Sequence, residues 1–68
     1  MRPIGMVVED LFGRLYRVNA YTCGTVFINK IENGRISGKI KAPWFFNTFY
    51  KPREDLRYSL YEGLKEKH

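Results

Sequence analysis

Thr25-Val26-Phe27-Ile28-Asn29-Lys30-Ile31-Glu32-Asn33-Gly34-Arg35-Ile36-Ser37-Gly38-Lys39-Ile40-Lys41 sets an Asn-Gly pair between two runs of alternating apolar and polar residues. Asn and Gly tolerate the positive φ that a two-residue type I′ turn demands, so the stretch predicts a β-hairpin closed by Asn33-Gly34. With those two residues as the loop, Glu32 faces Arg35 and Ile31 faces Ile36. Counting on along a regular ladder places Gly38 opposite Asn29 and Ile40 opposite Phe27. One face then carries Phe27, Ile31, Ile36 and Ile40, expected to be core. The other carries Ile28, Lys30, Ser37, Lys39 and Lys41, expected to be exposed.

Working toward the N-terminus, Tyr21-Thr22-Cys23-Gly24 reads as a second turn. Leu15-Tyr16-Arg17-Val18-Asn19 alternates apolar with polar residues as a strand does. Gly5-Met6-Val7-Val8-Glu9 is a short strand, joined to it through the loop Asp10-Leu11-Phe12-Gly13-Arg14, so the two runs predict an antiparallel hairpin. Toward the C-terminus, Pro43 breaks the ladder and Trp44-Phe45-Phe46-Asn47-Thr48-Phe49-Tyr50 is dense in aromatics. As a strand it sets Trp44, Phe46 and Tyr50 on one face; a helical turn, with Phe45 and Phe49 four apart, is the alternative. Pro52 followed by Glu54 and Asp55 suits a helix start, where proline fits the first position and acids complement the dipole. Leu56, Leu60 and Leu64 recur at i, i+4 and i+8, which predicts a helix stripe, with Gly63 a weak point inside it.

The expected fold is mainly β with a C-terminal helix: a small antiparallel SH3-like barrel or curled sheet of 4–5 strands covered by one α-helix. Residues 1–68 read as one domain, with the β-rich part at about 5–50 and the helix at about 53–66. The opening Gly5-x-x-x-Glu9-Asp10-x-x-Gly13-x-x-Tyr16-x-Val18 resembles the start of SH3-like barrels in its turn spacing. That likeness spans fewer than fifteen residues and implies a fold, not a function.

Composition excludes much. A domain of 68 residues buries only about 60% of its unfolded surface, so its core is small. Cys23 is the single cysteine, which rules out an intrachain disulfide and a CxxC zinc pair and fits a reducing cytoplasm. The single histidine, His68, is the last residue of the sequence, and no metal or cofactor is expected. The apolar run Met6-Val7-Val8 is too short for a signal peptide, which needs about 7–15 such residues. No catalytic constellation assembles: Glu9-Asp10 and Glu54-Asp55 read as structural, and no glycine-rich phosphate loop is present. The expectation is a binding protein and not an enzyme.

Charge divides unevenly. Residues 11–53 hold eight bases (Arg14, Arg17, Lys30, Arg35, Lys39, Lys41, Lys51, Arg53) against Glu32 alone, a net +7, whereas the first ten and the last fifteen residues are each −1. Such local density suits a polyanion or an acidic protein surface. The candidate binding residues are Arg14, Arg17, Lys30, Arg35, Lys39, Lys41 and Lys51 with Trp44, Phe46 and Tyr50. Cations would track phosphates while rings stack on bases. The leading expectation is nucleic-acid binding. Its competitor is a protein-interaction module, a small regulator or inhibitor of the kind mobile elements encode, docking on an acidic surface of a larger enzyme. A homodimer would also account for the surplus aromatics.

Overall fold

Two tight turns organise the chain. Cys23 and Gly24 have φ of 39° and 78°, and Asn33 and Gly34 have 53° and 77°, so both pairs take the left-handed conformation that type I′ hairpins require. In the computed structural model, which describes residues 4–42 and 46–66 (the side chains at 46 and 47 excepted), these turns join the three longest strands. They are β2 (Leu15–Thr22), β3 (Thr25–Glu32) and β4 (Arg35–Ala42). Strand β1 (Val7–Glu9) precedes them. A helical turn α1 (Phe46–Phe49), then β5 (Lys51–Pro52), β6 (Leu56–Ser59) and β7 (Gly63–Glu66), follow.

The architecture is mainly β: an antiparallel sheet in the order β4-β3-β2-β1-β5, plus the separate hairpin β6-β7. The expected barrel does not close, because β4 and β5 remain the two edges among the described strands. The expected C-terminal helix is also overturned. Residues 53–66 form a turn and a hairpin, with Leu56 opposite Glu66 and Tyr58 opposite Leu64. Pro52 sits in an edge strand, where its missing N–H costs no ladder bond. Asp55 does not cap a helix but pairs with Arg53 at 2.8 Å. Leu60, expected in the core, is 74% exposed at the hairpin tip. Ser59 Oγ there accepts the Tyr61 and Glu62 N–H groups, and Gly63 closes the turn at φ 78°.

The Asn33-Gly34 hairpin begins as expected, with Glu32 opposite Arg35 and Ile31 opposite Ile36. Ser37 is then an extra, unpaired residue, and every later pair moves by one: Lys30 meets Gly38, Asn29 meets Lys39, Ile28 meets Ile40 and Phe27 meets Lys41. This β-bulge has a packing reason. It lets Ile36 and Ile40, four residues apart, serve opposite faces of the sheet. Ile40 and Ala42 join Val8, Tyr16, Val18, Val26 and Ile28 in the main core, where Ile28 and Val18 are fully buried. A second bulge at Asn19 brings Tyr21 onto the same face as Val18. The expectation that Ile28 is exposed is therefore overturned, since Ile28 is buried, and of the expected core face Phe27 is only half-buried and Ile36 is exposed.

The opposite face of the sheet is covered in part by the β6-β7 hairpin. Ile36 N–H donates to Tyr58 Oη at 3.1 Å, and Leu64 N–H donates to the Gly34 carbonyl at 2.9 Å. Val7 and Ile31 are buried on this side, with Leu56 next to Val7 and Leu64 next to Ile31 and Leu15. The rest of that face carries Arg17, Phe27, Asn29, Lys39 and Lys41.

Candidate functional site

The remainder of this face is where the bulge delivers its cations. Register places Val7, Arg17, Asn29 and Lys39 in one row across β1, β2, β3 and β4. The next row holds Ala20, Phe27 and Lys41. Arg17, Lys39 and Lys41 thus share one face with the half-buried Phe27 ring. Adjacent strands lie about 4.8 Å apart, so Arg17 and Lys39 stand roughly 10 Å from each other across Asn29. Lys39 and Lys41 are exposed. None of these three cations makes an ion pair among the described residues. Arg17 has only a long 3.4 Å contact to Asn19 Oδ1.

The other expected site residues are distributed differently. Lys30 lies on the opposite face from Lys39 and Lys41, because its partner is Gly38 and not Ser37, and it is tied to Glu32 at 2.8 Å. The Lys30 ammonium, by hydrogen bond and charge, holds the Glu32 carboxyl below its ordinary value. Arg14 is tied to Asp10 at 2.9 Å. Arg35 leaves the β3–β4 turn with its side chain beside Gly63. Lys51 belongs to β5, the edge of the sheet away from β4 and Lys41. Tyr50 packs on the main core and meets Tyr16 edge-to-face, with ring centroids 5.3 Å apart; it is not on the basic face. Trp44 and the Phe46 ring lie outside what is described.

Asn29 and Phe27 were not legible as site residues in a regular register, which set Asn29 opposite Gly38 and Phe27 in the core. The signal that could have found them is Gly38 itself, since a glycine inside a strand pattern often marks a bulge. A further pair of cations, Arg57 and Lys65, stand directly opposite each other on the exposed side of the β6-β7 hairpin. Like charges in that relation repel.

A second surface is built by the β1–β2 loop. The Asp10 carboxylate, almost completely buried, accepts the N–H groups of Phe12 (2.8 Å) and Arg14 (2.9 Å) on Oδ1. Its Oδ2 accepts Arg14 Nε–H (2.9 Å) and the Tyr16 hydroxyl (2.8 Å). Burial pushes this carboxyl up, but the hydrogen bonds from Arg14, Tyr16 and Phe12 together win and hold it below 3.8. Burial first, and the bond to Asp10 second, push the Tyr16 phenol up to about 12. The loop so fixed presents Leu11 at 66% and Phe12 at 80% exposure, with the Arg14 guanidinium 4.9 Å above the Phe12 ring. Phe49 lies against the same groove.

No group of three or more His, Cys, Asp or Glu side chains gathers to hold a metal ion among the described residues. No helix among them is long and apolar enough to cross a membrane. Comparisons with protein-family models, with curated proteins and with solved structures find no match to the chain.

Proposed function

We propose that this protein binds nucleic acid without catalysis, through the sheet face that carries Arg17, Phe27, Asn29, Lys39 and Lys41. The observation that supports the reading is the Arg17–Asn29–Lys39 row with Lys41 beside it. Arg14, Lys30 and Arg53 are each paired with a carboxylate within 3.3 Å, whereas Arg17, Lys39 and Lys41, like Arg35 and Lys51, have no ion pair among the described residues, and only Arg17, Lys39 and Lys41 gather on one face. Unneutralised cations on a shared face displace counterions from a phosphate backbone. Fluorescence anisotropy of a labelled single-stranded oligonucleotide over a salt series tests this. The Lys39→Ala/Lys41→Ala double variant is expected to reduce the log–log salt slope by roughly two, because each lost phosphate contact withholds about one counterion. Lys30→Ala, on the other face and already paired, leaves the slope unchanged. Equal slopes for wild type and the double variant would remove the proposal.

The exposed Leu11 and Phe12 favour a second reading, a protein-interaction module that uses the β1–β2 loop. Apolar side chains on a loop held by a buried carboxylate are pre-ordered for contact. In that case Phe12→Ser abolishes capture of a protein partner and leaves oligonucleotide affinity intact.

A further inference from the structure

We propose that Asn29 reads a base, with adenine preferred, on the surface just described; the inference rests on the nucleic-acid reading. Asn29 is 8% exposed, the one buried polar residue among those described. A carboxamide has two donor hydrogens and an acceptor oxygen, and buried polar groups are almost always satisfied. Yet no hydrogen bond joins the Asn29 side chain to another of the described residues, and its amide atoms are not sealed from solvent. Its two neighbours in β3 on the same face are Phe27 and Ile31, so the position would accept an apolar side chain in their manner. Arg17, the nearest cation in β2, turns its guanidinium to Asn19 instead.

An amide that has no partner among the described residues, keeps contact with solvent and stands between two cations fits a ligand that brings a donor and an acceptor in one plane, flanked by negative charge. A splayed nucleotide does so. The Asn carboxamide matches the N6–H donor and N7 acceptor of adenine, and Arg17 and Lys39 lie on either side for the adjoining phosphates. Phe27, half-buried in the neighbouring row, is placed where the next base could stack. Bases in a single strand are free to splay, so the ligand is single-stranded.

The test is anisotropy with labelled single-stranded oligomers of dA, dC and dT at one low salt concentration. Wild type should prefer dA by about five-fold or more, the lower bound for a bidentate amide–base pair. Asn29→Ala should remove that preference, bringing dA affinity down to the level of dT in the same variant. Asn29→Asp, which keeps the shape and loses the donors, should move the preference to dC, whose N4–H a carboxylate accepts. A wild type that binds all three oligomers equally, or an Asn29→Ala variant that keeps the preference, overturns the role of Asn29; an ordered water would then satisfy the amide. A wild type that binds none of them overturns the nucleic-acid reading itself.

Discussion

At the scale of single residues, Asp10 does the most for this molecule. One carboxylate accepts four hydrogen bonds, sets the shape of the β1–β2 loop and satisfies the hydroxyl of the buried Tyr16. Asp10→Asn keeps an acceptor for the backbone donors but sets an amide against the Tyr16 hydroxyl and the Arg14 guanidinium. It should cost on the order of 2–3 kcal/mol at neutral pH, the worth of hydrogen bonds to a charged group. Because the folded-state pKa lies below the ordinary 3.8, this contribution is complete above that value and is lost as pH falls through the lowered one. Thermal unfolding of both proteins from about pH 6 to pH 2 checks the sign. The gap between wild type and Asp10→Asn should be constant down to about pH 4 and shrink below it. A gap that widens in acid would show that Asp10 is not the charged anchor of the loop.

At the scale of elements, the C-terminal hairpin depends on its closest approach to the sheet and not on its leucine stripe. Gly63 has φ of 78°, and a Cβ added there would collide with the Gly34 carbonyl oxygen. Gly63→Ala should therefore cost more than the roughly 1–2 kcal/mol of left-handed strain alone. Leu60→Ala should stay within about 0.5 kcal/mol, as exposed positions do. Chemical denaturation of the two variants ranks them, and the reverse ranking would restore a buried Leu60. The reason a helix looked plausible here is arithmetic. Spacings of four and eight are even, so Leu56, Leu60 and Leu64 would also share a face in a strand, and period alone does not separate the two. Ser59 and Gly63, which close the turn, were the informative residues. The Asn33-Gly34 turn, the Cys23-Gly24 turn and the β1-β2 hairpin were legible because each is encoded by local chemistry. The face on which a cation emerges was not. It depends on the parity of the count from the turn, and one unpaired residue at Ser37 inverts that parity for Lys39 and Lys41 while leaving Lys30 behind. The segment and residue types of the candidate surface were thus readable, but its membership was not.

At the scale of the whole molecule, the pairing order β4-β3-β2-β1 is a meander in which each strand meets the next one along the chain. The exception is β5, whose Pro52 pairs with Val8 across most of the sequence. Pairings between sequence neighbours close short loops and form early, whereas distant ones wait. Ile28→Val, in the centre of the meander, should therefore slow refolding in stopped-flow experiments. Leu56→Ala, in the late-docking hairpin, should chiefly speed unfolding. The opposite partition of rates would place the nucleus at the C-terminal end. During synthesis, chain emerges at about 5–20 residues per second, so β1 through β4 are available to pair before Lys51 and Pro52 have left the ribosome. For that interval the outer edge of β1 is an unpaired strand edge on a nascent chain, with the β6-β7 hairpin not yet docked. The short length of β1, three residues, limits how much of a neighbouring nascent chain that edge can recruit.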